Sequence, residues 1–257
     1  MNLGLKGRKI LVTGSSRGIG FEIAQCFLKE GAVVGLVARG LDDLNFAQET
    51  LIRLFGEHNV FGWQCDVSDQ NNVIELRQKI ISEWGSLDSL VLNVGSGKSI
   101  IEPIPESDNW SKVWKANFDS SLNLCRESIN HLLSSKQSSI VFISSICGIE
   151  ALGAPTDYSV AKSALISFSK NLARKVAPQI RVNVVAPGNI YFPEGTWDLK
   201  IKENESKVKQ MIDNEVPLKR FGKPDEVADA VVFLSSERAS FITGATLIID
   251  GGQTRSF

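Results

Sequence analysis

Tyr158 and Lys162 stand four residues apart in the run Tyr158-Ser159-Val160-Ala161-Lys162. Ala161, Leu165, Phe168 and Leu172 follow at helical spacing, so the phenol and the ammonium share one helix face. A phenol ionises near pH ~10, too high for ready proton exchange at neutrality, and a neighbouring ammonium favours the phenolate. Such a pair can trade a proton with a carbonyl or hydroxyl oxygen. Thirteen residues before the tyrosine, Ser145 closes the apolar run SIVFIS and its partner serine, and its hydroxyl could hold that same oxygen while charge develops on it. Taken singly these patterns are common: a half-buried tyrosine with a snorkelling lysine, or a strand-end serine bonding its own backbone, does no chemistry. The chain has only two tyrosines, however, and one of them stands at this distance from both a serine and a lysine. Their joint order points to catalysis.

A second constellation lies near the start. Thr13-Gly14-Ser15-Ser16-Arg17-Gly18-Ile19-Gly20 follows directly on the apolar run KILVT and opens a helical pattern. Strand, glycine turn and helix N-terminus make an anion site, because glycine permits a tight turn and unpaired N–H groups face the ligand. The position at a first strand-to-helix junction points to a dinucleotide. Roughly 20 residues beyond such a turn an NAD-binding chain places an acid on the ribose 2′-hydroxyl. Here the sequence reads Val37-Ala38-Arg39-Gly40. With no carboxylate at Ala38, Arg39 beside it and Arg17 in the turn, two guanidinium groups can meet a 2′-phosphate, which favours NADP(H). Asp42 and Asp43 could approach the ribose, though acids there also suit the first turn of a helix.

These residues need a scaffold that alternates strand and helix, and the chain supplies one. Apolar runs at 9–13, 32–38, 60–65, 89–93, 139–144, 180–186 and 246–250 predict seven buried parallel strands. Helical patterns lie between them, the first ended by Gly31 and the third by Gly85. The expected fold class is α/β, a Rossmann-type doubly wound parallel sheet with helices on both faces, formed by residues 1–257 as a single domain. A net charge of -1 argues against nucleic-acid binding, and the absence of a long apolar run argues against a membrane span or leader, so the expected location is cytoplasmic. Cys26, Cys65, Cys125 and Cys147 lack metal-ligand spacing, and with two histidines no metal site is expected.

The glycine spacing, the Ser145, Tyr158 and Lys162 order, and Asp250-Gly251-Gly252 near the end together resemble the short-chain dehydrogenase/reductase family, over essentially the whole chain. The likeness is to its single-domain, NADP(H)-preferring branch, which includes 3-oxoacyl-(acyl-carrier-protein) reductases. That resemblance implies hydride transfer between a nicotinamide and the carbonyl or secondary alcohol of a small molecule. It implies that Asn117, in WKANFDSS, is a fourth catalytic residue holding a water beside Lys162. It places Asp66 and Val67 at the adenine, Asn93 and Gly95 along the cofactor cleft, and Pro187, Gly188 and Ile190 at the nicotinamide. Gly14, Ser16, Arg17, Gly18, Ile19, Gly20 and Arg39 would hold the phosphates, and Tyr158 and Lys162 would also bind the cofactor. Two positions depart from the family pattern: Val94 replaces an alanine, and Phe192 replaces a threonine. A homotetramer or homodimer would assemble through the long helices bearing Asn117 and Tyr158.

One segment breaks the strand–helix rhythm. Residues 188–223 are rich in Lys and Glu, helical around 199–214, and are expected to form a lid over the cleft. Besides Ser145 and Tyr158, Tyr191, Phe192 and Trp197 are the candidate substrate wall. The lid's charges read in two ways. Either they pair along a solvated helix, as Glu203 with Lys207 and Glu205 with Lys209, or lid lysines join Lys98 across the cleft to attract an anionic substrate. A 3-oxoacyl thioester, a sugar or a sugar phosphate would fit the site, and a non-catalytic NADP(H)-binding regulator is the alternative of a different class.

Overall fold

The computed structural model describes residues 2–100, 102–135 and 137–256. Its strands are β1 (Lys9–Thr13), β2 (Val33–Ala38), β3 (Val60–Gln64), β4 (Ser89–Leu92), β5 (Ser138–Ile143), β6 (Ile180–Pro187) and β7 (Thr246–Ile249). They form one parallel sheet in the order β3-β2-β1-β4-β5-β6-β7. Each strand coincides with an apolar run because strands covered on both faces carry Val, Ile and Leu without alternation. The helices are α1 (Gly18–Lys29), α2 (Leu41–Phe55), α3 (Gln70–Trp84), α4 (Ser107–Trp114), α5 (Ser120–Leu133), α6 (Thr156–Val176), α7 (Thr196–Glu215) and α8 (Pro224–Ser235). Gly85 ends α3 in the left-handed conformation, with its N–H on the Ile81 carbonyl, and Asp69 caps its start by accepting from Asn71 and Asn72 N–H.

Two cores lie on opposite faces of the sheet. One buries Ile23, Phe27 and Ala24 of α1 with Leu44 and Leu51 of α2 and Val227, Val231 and Leu234 of α8. The other gathers Val73, Leu76 and Ile80 of α3, Leu124 and Leu132 of α5, and Leu165 and Ala173 of α6. Strand order reverses between β1 and β4, so their carboxyl ends open the crevice where ligands of such sheets bind. Thr13 and Asn93 stand at that crevice, and β5 and β6 bring Ser145 and Pro187 to the same edge.

The segment after β6 differs from expectation in its charges. Asn204 has non-helical backbone angles (φ -158, ψ 86) that split α7 in two, and its Oδ1 accepts from Lys207 N–H (3.0 Å), capping the second half. Among the described residues neither the Glu203–Lys207 nor the Glu205–Lys209 pair forms, since the kink breaks the spacing both require. The first half is organised instead by Asp198, which accepts from Tyr191 Oη (3.1 Å), Glu194 N–H (2.9 Å) and Lys202 Nζ (2.8 Å).

Candidate active site

Close backbone approach builds the catalytic edge. Ser144 Oγ donates to the Lys162 carbonyl (2.8 Å), and a Cβ on Gly148 would fall 2.7 Å from Lys162 carbonyl carbon. Only glycine lets the turn after β5 lie this tightly on α6, and that contact sets Ser145 against Tyr158. Ser145 Oγ accepts from Cys147 N–H (3.1 Å), which leaves its own proton available. Lys162 is 3% exposed, its Nζ donating to the Ile143 carbonyl (3.0 Å) and lying 5.9 Å from the Tyr158 ring centre.

The electrostatics run opposite to the sequence expectation for the phenol. Burial pushes Tyr158 up to about 12, opposed by the Ser145 hydroxyl, and pushes Lys162 down to about 8. The ammonium therefore does not pull the phenol down in this arrangement. Its Nζ donates to the Ile143 carbonyl at the end of β5, and desolvation dominates both groups.

Asn117 is fully buried in a π-helical turn, Lys115–Asp119, between α4 and α5. Its Oδ1 accepts from Ser96 N–H (3.0 Å), and Nδ2 donates to the Ser96 and Val113 carbonyls (3.0 Å each). The side chain thus pins the loop after β4. A Cβ on Gly95 would lie 2.7 Å from both Asn117 Oδ1 and Lys162 Nζ, so Gly95 is the spacer that brings these two together. Asp157, 1% exposed, fastens the same loop by accepting from Ser99 Oγ (2.6 Å) and Tyr158 N–H (2.8 Å). The sequence reading missed this acid; its place immediately before the tyrosine was the available signal.

At the other end of the crevice, Gly14 and Gly18 adopt positive φ (63° and 59°), and α1 begins with no capping side chain and no acid in its first turn. Its leading N–H groups are therefore available to an anion. Asn93 braces the turn, its Nδ2 donating to the Thr13 and Gly14 carbonyls (3.1 Å each), and a Cβ on Gly20 would strike Gly14 O at 2.2 Å. Val94 flanks the turn, with its Cγ2 3.4 Å from where a Cβ on Gly14 would stand. Ser16 and Ile19 lie half-buried in the turn. These features fit a dinucleotide phosphate.

Both arginines read from the sequence are exposed and weakly held. Arg39 Nη1 is 3.9 Å from Asp66 Oδ2, and Arg17 Nη1 is 4.0 Å from Glu194 Oε2. Asp66 also accepts from Ser68 N–H (3.0 Å) and Oγ (2.7 Å), while Asn123 of α5 holds the Val67 carbonyl (3.3 Å). Gly188 packs on Asp250, with a Cβ there 2.8 Å from the Asp250 Cβ, and Ile190 bridges to Gly222. Asp250 accepts from Gly252 and Thr254 N–H (2.9 and 2.7 Å), so within this chain the Asp-Gly-Gly turn supports the Pro187-Gly188 corner.

The three aromatic candidates part company. Trp197 and Tyr191 both meet Phe221, with ring centres 5.5 and 6.1 Å apart, a packing partner that the sequence reading overlooked. Phe192 instead lies over the phosphate turn, where a Cβ on Gly18 would come 2.7 Å from its ring.

A seven-stranded doubly wound sheet with a glycine turn at its switch point defines a Rossmann-type protein. The family described as enoyl-(acyl carrier protein) reductase matches residues 14–254, and the chain belongs to this short-chain dehydrogenase/reductase family of oxidoreductases. It is 34% identical over 255 residues to a 3-oxoacyl-(acyl-carrier-protein) reductase FabG of Chlamydia pneumoniae, covering 99% of this chain and 100% of that protein. L-sorbose reductase from Gluconobacter frateurii, solved with NADPH and L-sorbose, superposes with a TM-score of 0.94 at 34% identity and covers 100% of both chains. An NADPH-bound short chain oxidoreductase from Pseudomonas aeruginosa PAO1 gives a TM-score of 0.91 at 27% identity, covering 97% of this chain and 98% of that one. Among the described residues no helix is long and apolar enough to cross a membrane.

Proposed function

We propose that this protein is an NADP(H)-dependent oxidoreductase acting on a ketone carbonyl or its secondary alcohol, with Ser145, Tyr158, Lys162 and Asn117 as its working residues. The observation that carries this reading is the meeting of the Ser145 hydroxyl, the Tyr158 phenol and the buried Lys162 ammonium at the crevice edge. The FabG and L-sorbose reductase names of two relatives support a carbonyl substrate and NADPH. Arg17 and Arg39 would hold the 2′-phosphate, and the α1 N-terminus with Gly14, Gly18 and Gly20 the pyrophosphate. When bound, NADP(H) supplies or accepts the hydride.

The chain's own groups manage the oxygen and its proton. Burial keeps Tyr158 as the neutral phenol at pH ~7, which is the form able to donate a proton during carbonyl reduction. Ser145, with one lone pair engaged by Cys147 N–H, would donate to the same oxygen and fix its position. Lys162, at about 8, exchanges its own proton near neutrality and can restore the phenol's. Asn117 acts through position, holding the Gly95-Ser96 loop beside Lys162.

In the single-domain reading residues 188–223 would form the lid, a role supported by the approach of Phe192 to Gly18 and of Glu194 to Arg17. A homodimer or homotetramer would assemble through α5, which follows Asn117, and α6, which carries Tyr158, and would also cover the outer edge of β7 with Leu247, and the exposed Leu218 and Phe241. Free thiols at all four cysteines accord with a cytoplasmic setting.

The test is NADPH oxidation against a panel of ketones, comparing wild type with Tyr158→Phe. The variant should keep its fold and bind NADPH while losing turnover by about 10²-fold or more. Full activity in it would move the proton to another residue. NADPH binding without turnover on any ketone would favour the regulator reading.

A further inference from the structure

After β4 the chain runs through residues 94–100 without helix or strand, and among the described residues no backbone–backbone hydrogen bond supports that loop. Side chains from two helical elements hold it instead. Asn117, in the π-helical turn, brackets Ser96 by its N–H and its carbonyl, and Asp157, in the first turn of α6, takes the Ser99 hydroxyl. Between these anchors lie Gly97 and Lys98. Gly97 passes along the phenol: a Cβ there would stand 4.0 Å from Tyr158 Cζ, the carbon that carries the hydroxyl. Past Ser96, the Ser99–Asp157 bond is the one hydrogen bond that ties residues 97–100 to another element among the described residues.

That bond is a strong one. A carboxylate only accepts, so Ser99 donates, and 2.6 Å is the length of a charge-assisted O–H···O⁻ contact. The other oxygen of Asp157 accepts from Tyr158 N–H (2.8 Å), so one side chain touches both the residue that carries the phenol and the loop that runs past it. An acid serving only the start of α6 could do so from water, through the helix dipole. Asp157 is 1% exposed, and a carboxylate withdrawn from water needs hydrogen bonds in place of its hydration.

We propose that Asp157 and Ser99 are positioning residues for the proton transfer, their bond closing the loop against the Tyr158 phenol so that Gly97 keeps water from that side of the hydroxyl. This rests on the reading of Tyr158 as proton donor and adds the pair that holds its surroundings in place. Burial raises the phenol to about 12, and Ser99→Ala, which releases the loop and leaves every charge where it was, should let it fall toward the ordinary ~10. The titratable groups that face the phenol, Lys162 from its own helix and Cys147 from the turn after β5, are the same in both proteins.

The chain has two tyrosines, so in a Tyr191→Phe background phenolate absorbance reports Tyr158 alone. At pH ~10.5 Ser99→Ala should show several-fold more phenolate than its parent, with circular dichroism confirming that both are folded, and Ser99→Thr should restore the parental value. An equal phenolate fraction in Ser99→Ala and its parent overturns the clasp. Kinetics read its consequence. With NADPH and ethyl 3-oxobutanoate or L-sorbose, Ser99→Ala should lower kcat about tenfold per NADPH-binding site and leave the NADPH dissociation constant as it was. Adding Ser99→Ala to Asp157→Ala should lower kcat no further than Asp157→Ala alone, because the bond is already lost. Losses that multiply, or a kcat that does not move, overturn the pair's role in the reaction. A wild type that turns over no ketone while the phenolate shift holds would refute the reductase reading and keep the clasp.

Discussion

Glu194 stands 4.0 Å from the Arg17 guanidinium and so joins the segment after β6 to the phosphate turn. Both side chains are largely exposed, at 80% and 61%, so the pair adds little to stability. Its effect falls on the ligand. A carboxylate at Arg17 competes with the 2′-phosphate that this guanidinium is proposed to bind. Glu194→Gln should therefore leave the melting temperature unchanged and tighten NADPH binding about two- to fivefold, with a smaller effect on NADH. Fluorescence titration with both cofactors decides it. Unchanged or weaker NADPH binding would mean that Glu194 is no competitor.

Ala38 ends β2 beside Arg39, whose carbonyl accepts from Gln64 Nε2 (3.0 Å), so the backbone of Arg39 is fixed while its side chain is 82% exposed. NADP(H) should bind at least about tenfold tighter than NAD(H), from roughly 1.5 kcal/mol for one charge-assisted phosphate contact. Arg39→Ala alone should remove most of that preference, and Ala38→Asp added to it should reverse it by offering a carboxylate to a free 2′-hydroxyl. Equal dissociation constants for the two cofactors in the wild type would sink the assignment.

The strands were legible because parallel strands sealed on both faces leave unbroken apolar runs, as in Ile10 to Val12 or Ile140 to Ile143. The glycine turn was legible for a related reason: positive φ at Gly14 and Gly18 restricts what can stand there. What escaped depends on contacts between distant residues. Nothing local marks Gly148 as the point where a turn rests on the Lys162 backbone, or Asn204 as an internal cap that cancels two charge pairs. Phe192 and Trp197, five residues apart, looked like one wall, yet the bend around Asp198 sends the first to Gly18 and leaves the second on Phe221. The expected effect of Lys162 on Tyr158 failed for a further reason, since spacing on a helix reports proximity and says nothing of desolvation.

Lys162 links the candidate chemistry to stability through pH. Burial lowers its pKa from 10.5 to about 8, so the unfolded chain binds this proton more tightly than the native protein does. Stability from this side chain is fully present above 10.5, falls as the pH drops through the window between 10.5 and 8, and stays low below it. At ~1.4 kcal/mol per tenfold, the whole window is worth about 3 kcal/mol. Lys162→Met removes the titration, along with the donor to the Ile143 carbonyl, a loss that does not vary with pH and cancels in the comparison. Urea unfolding of both proteins near pH ~7 and near pH ~10 should show the wild type gaining about 2 kcal/mol relative to the variant at the higher pH. A difference that stays constant between the two conditions would mean that the ammonium titrates as it does in water, and the proposal that Lys162 trades protons near neutrality would fall with it.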